Sequence, residues 1–209
     1  MELHTADGNT LEAEWVAPSA PLATVVLCHP HPQYGGTMRS IVISALFDTL
    51  PQFGIACLRF NFRGVEGSSG EHSEGRDEPL DVAAAVDAAA GARAGGPLTL
   101  AGWSFGADMA LTITDDRLAG WVAIAPPLRF RPATAYDPVG RDARPKLLEL
   151  AGNDEFRAPS EIEVETRAWV NTRIETIAGA SHFFVGRTAR VVELTAEFVR
   201  SLSRTTETG

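Results

Sequence analysis

Gly102-Trp103-Ser104-Phe105-Gly106 sets one serine between two glycines, inside an otherwise apolar stretch. A serine hydroxyl becomes a nucleophile when a sharp strand-to-helix turn lifts it into the open and a neighbouring base takes its proton. Small residues on either side of the serine let strand and helix close around that turn. The next amide, that of Phe105, then falls at a helix N-terminus, where it is placed to stabilise an oxyanion. Histidine is the natural base, and the chain has five: His4, His29, His31, His72 and His182. His182 stands out, because it follows an apolar run by the short loop Ala178-Gly179-Ala180-Ser181 and precedes the last helical segment. An orienting acid is offered by Asp154, in Ala151-Gly152-Asn153-Asp154-Glu155, with Glu155 as the competing carboxylate. The plain alternatives are a packing histidine beside Phe183 and Phe184, and a solvated loop acid or helix cap.

A second oxyanion donor is expected on the loop Cys28-His29-Pro30-His31-Pro32-Gln33-Tyr34-Gly35-Gly36. Its prolines have no N–H, so the amide of His31 is the expected partner of Phe105, with those of Gln33 and Tyr34 as the alternatives; Gln33 and Tyr34 are also pocket candidates. Trp103 and Phe183, flanking the serine and the histidine, complete the expected pocket. His-x-His also fits a metal site, but such a site draws further His, Asp or Glu ligands from other strand ends. Here those positions are better used as base and orienter, so no metal is expected. The glycine-rich segment from Arg63-Gly64 to Gly67-Ser68-Ser69-Gly70 lacks the G-x-x-x-x-G-K-[ST] pattern of a phosphate loop. It reads as a tight loop beside the site with glycines at positive φ.

These residues need elements to hold them. Leu3 to Thr5 and Leu11 to Val16, around Asp7-Gly8-Asn9, predict an N-terminal β-hairpin. Short apolar runs predict strands at Ala23 to Leu27, Ile55 to Phe60, Leu98 to Ala101, Gly120 to Ala125, Lys146 to Ala151 and Arg173 to Ile177. Helical spacing predicts helices over Met38 to Phe53, Asp77 to Ala92, Phe105 to Thr114, Ser160 to Val170 and Arg187 to Ser203. Pro126 to Arg144 reads as a connection with one short helix, and Thr205 to Gly209 as a frayed tail. Strands of this length alternating with helices mean βαβ crossovers and a mostly parallel twisted sheet with helices on both faces, whose ligand site lies beyond the carboxyl ends of the strands. Ser104, Asp154 and His182 each follow a different strand. Their chain order is that of the α/β-hydrolase arrangement rather than of either protease arrangement.

The whole composition frames this reading. The 209 residues are 44% hydrophobic and 22% charged, enough for one core over 1–209 and wrong for a disordered or coiled-coil chain. A formal charge of −9 repels phosphate backbones, so no nucleic-acid partner is expected. Cys28 and Cys57 are too few for a disulfide framework and fall in core strands as small hydrophobes. Met1 to Asn9 lacks a basic n-region, and no run of about 18 apolar residues exists. The expectation is a soluble, cytoplasmic monomer or small homo-oligomer that takes a small molecule and no cofactor.

The set His29-Pro30-His31-Pro32 with Gly35-Gly36, Arg59-Phe60-Asn61-Phe62-Arg63-Gly64, Gly102-Trp103-Ser104-Phe105-Gly106, Ala125-Pro126-Pro127 and Gly179-Ala180-Ser181-His182-Phe183-Phe184 resembles the small, lid-less bacterial serine hydrolases of the α/β-hydrolase superfamily, relatives of the dienelactone-hydrolase-like proteins. The similarity runs from about Leu22 to Leu202. It implies Ser104 as nucleophile, Asp154 as acid, His182 as base, and no large cap domain. Two features depart from the relatives: a serine where dienelactone hydrolases proper carry cysteine, and a shorter spacing between Gly152 and Asp154. The implied activity is cleavage of small carboxylic esters through an acyl-enzyme. A thioesterase or perhydrolase with the same triad, and a non-catalytic binding module, are the alternatives. About twenty residues between Ala125 and Lys146 cannot build a multi-helix cap, which implies an open pocket and short acyl chains.

Overall fold

The computed structural model describes residues 1–92 and 94–205. Eight strands form one sheet: β1 (Glu2–His4), β2 (Thr10–Val16), β3 (Ala23–Cys28), β4 (Ile55–Phe60), β5 (Leu98–Trp103), β6 (Leu118–Ile124), β7 (Lys146–Ala151) and β8 (Thr172–Ile177). Their spatial order is β1-β2-β4-β3-β5-β6-β7-β8. The β1–β2 and β2–β4 pairs are antiparallel and every other pair is parallel. Helices α1 (Ile41–Thr49), α2 (Glu78–Gly91), α3 (Phe105–Ala110), α4 (Asp137–Arg141), α5 (Pro159–Thr166) and α6 (Thr188–Thr205) lie around it.

Every residue of β3, β4, β5 and β7 is buried, because crossover helices cover both faces of a parallel sheet. Alternation within one strand then divides the core. Val25 and Leu27 pack with residues of α1 and α6, such as Leu46 and Val191. Val26 and Cys28 face the other layer, with Val86 of α2 and Met109 of α3. Cys28 and Cys57 are free and buried, and burial pushes both thiols above their ordinary range.

Several helix ends depart from the sequence reading, each for a side-chain reason. α1 starts at Ile41 rather than Met38, since the Met38 amide donates to Asn61 Oδ1 and Ser40 is extended. Its expected last turn is a 3-10 helix, Leu50–Phe53, closed by Gly54 at φ 81°. α3 stops at Ala110 instead of Thr114, where the Thr112 hydroxyl donates back to the Met109 carbonyl. α5 stops at Thr166, and the Val170 amide donates to the Gly140 carbonyl instead of continuing the helix. The connection after β6 holds a 3-10 turn, Ala133–Ala135, as well as α4. α6 runs to Thr205, and the rest of the expected frayed tail, 206–209, lies outside the described residues.

The glycine-rich loop of residues 63–70 packs against the hairpin and lines no part of the main cavity. Gly64 and Gly70 have positive φ, but at the third such position Glu66, not Gly67, takes it. Arg63 bridges Asp7 of the hairpin turn and the buried Asp81 of α2. Asn61 holds Glu12 and Glu66 through its amide nitrogen. The Arg-Phe-Asn-Phe-Arg-Gly motif therefore fastens the antiparallel edge to the parallel sheet.

One core residue carries a pH prediction. Glu149 of β7 is fully buried, with Oε1 accepting from Thr195 of α6 and Oε2 without a partner. Burial pushes its carboxyl up to about 8 from an ordinary 4.5. Between those two values the folded state holds a proton that the unfolded chain has released. Stability from this residue therefore falls as pH rises, by about 1.4 kcal/mol per pH unit, and levels off above the folded value. Glu149→Gln should remove that slope. In urea titrations the variant gains on the native protein between about pH 5 and about pH 8. A pH-independent difference would mean that the carboxyl titrates normally.

Candidate active site

The serine turn is built from two glycines that tolerate no Cβ. One added at Gly102 would stand 2.2 Å from the Gly106 carbonyl oxygen, and one at Gly106 would stand 2.2 Å from the Cys28 carbonyl oxygen. β5 can thus turn into α3 directly against the end of β3. Ser104 takes φ 55° and ψ −120°, a conformation that costs about 1–3 kcal/mol and persists only where its surroundings impose it. Its amide donates to the Ile124 carbonyl on β6, and its own carbonyl accepts from Ala107 and Asp108 at the head of α3.

Ser104, His182 and Asp154 come together. His182 Nδ1 lies 2.8 Å from Asp154 Oδ2, and Nε2 lies 2.8 Å from Ser104 Oγ. A carboxylate can only accept, so the ring proton sits on Nδ1 and Nε2 is free to accept from the serine hydroxyl. Burial opposes ionisation of Asp154. The His182 ring N–H and the amides of Phe156 and Arg157 outweigh it and hold the carboxyl below the usual range. Glu155, the competing acid, points elsewhere: its Oε2 accepts from the His182 backbone amide at 2.8 Å. Trp103 Nε1–H donates to the His182 carbonyl at 3.1 Å. The histidine is thereby held at both ring nitrogens and at both ends of its backbone unit, with Phe156 edge-on to the ring at 4.7 Å.

The His-Pro loop is stiffened from within. His29 is fully buried, and burial lowers its pKa to about 3, so the ring is neutral. Nε2 accepts from the Phe62 amide, which leaves Nδ1–H to donate to the Pro30 carbonyl at 2.6 Å. His31 Nδ1 accepts from the Gln33 amide and caps the 3-10 turn Pro32–Tyr34. Burial lowers the His31 pKa as well. A Cβ at Gly36 would stand 2.1 Å from the Pro30 carbonyl oxygen, so this loop too demands glycine. Among the described residues neither the His31 amide nor the Phe105 amide has a protein acceptor. The two residues are neighbours, with ring centroids 5.1 Å apart.

An open cavity of about 540 Å³ lies over Ser104 and His182. Tyr34, Trp103 and Phe183 line it, as the sequence suggests, together with His31. Gln33 does not, its amide being spent on the His31 ring. Several lining residues escaped the sequence reading, Ser40, Ile41, Arg129, Phe130 and Phe156 among them. So did Asp108, which positions two of them. This fully buried carboxyl accepts from the amides of Leu128, Arg129 and Phe130 and from the Tyr136 hydroxyl. Burial pushes it up to about 6 against those bonds. The signal available for it in the sequence was one acid inside the apolar stretch from Phe105 to Leu111.

Sheet order, serine turn and strand-end residues define an α/β hydrolase without a cap domain. No family model matches the chain. An uncharacterized protein of Rickettsia prowazekii, RP471, is 30% identical over 182 residues, covering 82% of this chain and 75% of the relative. An α/β serine hydrolase homologue from Coxiella burnetii is 28% identical, with a TM-score of 0.85 over 95% of this chain and 96% of that one. XC6422 of Xanthomonas campestris, described as an α/β serine hydrolase without a lid, is 26% identical, with a TM-score of 0.85 over 96% and 93%. The chain belongs to this family of small, lid-less α/β serine hydrolases and is a hydrolase. No helix among the described residues is long and apolar enough to cross a membrane.

Proposed function

We propose that the protein cleaves small carboxylic esters through an acyl-enzyme on Ser104. The observation that carries this reading is the pair of 2.8 Å contacts running from Ser104 Oγ through the His182 ring to Asp154. His182 Nε2 takes the hydroxyl proton as Oγ attacks the acyl carbonyl. Asp154 keeps the ring in the required tautomer and offsets the positive charge it gains. The amides of Phe105 and His31 receive the oxyanion, each donor of this kind lowering the barrier by about 3 kcal/mol. His182 then returns its proton to the leaving alkoxide, and afterwards activates the water that frees Ser104. The open cavity and the absence of a multi-helix cap favour short acyl chains.

A fluorophosphonate probe tests the nucleophile directly. Labelling should map to Ser104 by peptide mass spectrometry and vanish in Ser104→Ala, and acetate and butyrate esters should then outpace long-chain ones. A folded, unlabelled native protein would sink the triad and favour a binding role on the hydrolase scaffold. Faster turnover of acyl thioesters than of matched esters would shift the substrate class.

A further inference from the structure

We infer that Arg129 makes this a hydrolase of anionic esters, ones that carry a carboxylate besides the bond to be cleaved. The inference rests on the reading of Ser104 as the nucleophile and adds the chemistry of what the cavity holds.

Apart from the two histidines, the residues lining the cavity are apolar, aromatic or neutral, with one exception. Arg129 is its single permanent charge, and no Asp or Glu lines it. In a chain of net charge −9, a cavity wall with one cation and no acid stands out, Asp154 and Glu155 being engaged by the His182 ring and backbone amide. Buried His31 does not supply a second cation, since its pKa is lowered.

Arg129 also differs from the arginines that are tied into ion pairs elsewhere in the chain. Arg39, Arg59, Arg63, Arg117, Arg144 and Arg157 each hold a carboxylate. Among the described residues no carboxylate or other acceptor holds the Arg129 guanidinium; its recorded contact is the Phe130 ring, 5.4 Å from Cζ to centroid. A guanidinium that is exposed to solvent beside an aromatic ring and unpaired keeps its planar fork of donors for a carboxylate from solution.

Its backbone is fixed relative to the nucleophile. The amides of residues 128–130 all donate to Asp108, on the helix that begins one residue after Ser104. Leu128 adopts φ 50°, so the loop is held in a conformation it would not choose alone. The same short helix thus aims the serine and anchors the cation. Phe130, Phe156 and Phe183 leave an apolar stretch of wall for the chain or ring between ester and carboxylate.

The test compares matched pairs at equal carbon number: monoethyl succinate against ethyl butyrate, monoethyl adipate against ethyl hexanoate, and 4-acetoxybenzoate against 4-methylphenyl acetate. The first two place the anion on the acyl side and the third on the alcohol side. In at least one pair the anionic member should have the higher kcat/KM, by about tenfold at low salt, with the preference shrinking as salt is added. Arg129→Gln should bring that ratio to about one, and Arg129→Lys should restore part of it. Equal or lower kcat/KM for every anionic member, with neutral esters turned over, overturns the inference and leaves the proposed hydrolysis standing. An Arg129→Gln ratio unchanged from the native protein overturns it as well. Absence of fluorophosphonate labelling in the same preparation would instead count against Ser104.

Discussion

Asp154→Asn is expected to lower kcat by about 10⁴-fold while leaving fold and KM nearly intact. An amide in place of the carboxylate can present N–H to Nδ1, which leaves Nε2 protonated and unable to accept from Ser104. It also withdraws the negative charge that offsets the imidazolium formed during attack. Glu155→Gln makes the sharper comparison, because the two acids are neighbours in sequence and both touch the same histidine. Glu155 meets the His182 backbone amide, and a glutamine carbonyl can still accept from it. That variant should lose about tenfold or less in kcat. Rates of 4-nitrophenyl acetate hydrolysis for the two purified variants decide the matter. Equal losses would mean that the acid's role is shared, and a larger loss in Glu155→Gln would reassign it.

The strands and the placement of the three candidate residues were readable for the same reason. A fully buried parallel strand is a short apolar run whatever packs on it, so Ala23 to Leu27, Ile55 to Phe60 and Lys146 to Ala151 announce themselves. A residue just past such a run lies at the carboxyl edge of the sheet, which places Ser104, Asp154 and His182 on one rim. What stayed hidden depends on partners far along the chain. The start of α1 depends on the Met38 amide finding Asn61, and the end of α5 on the Val170 amide finding Gly140. Asp108 binds amides some twenty residues later, and no local spacing predicts which. The choice between Asp154 and Glu155 turns on which way each side chain leaves the loop. Sequence order carries no sign of that direction. Gln33 illustrates the converse, a residue beside the site whose amide is used up within its own turn.

Gly106→Ala adds one methyl group and is expected to cost about 3 kcal/mol and at least 100-fold in labelling rate. The new Cβ would stand 2.2 Å from the Cys28 carbonyl oxygen and 2.5 Å from that of His29. Both obstacles are backbone of a buried strand end, so no side chain can swing aside. Relief requires α3 to withdraw from β3, and that movement parts the two elements that must meet for catalysis. Phe105 begins α3, while His31 follows β3 by three residues. Withdrawal therefore pulls one proposed oxyanion donor from the other even if the protein still folds. For a chain of this length the stability loss corresponds to a melting temperature lower by roughly 10 °C. Gly91→Ala is the control: it ends α2, and a Cβ there meets nothing within 4 Å. Its melting temperature should hold or rise slightly, since alanine is the better helix former, and its labelling should match the native protein. If Gly106→Ala reacts with the fluorophosphonate at the native rate, the contact between α3 and the His-Pro loop is not what brings the two amides together.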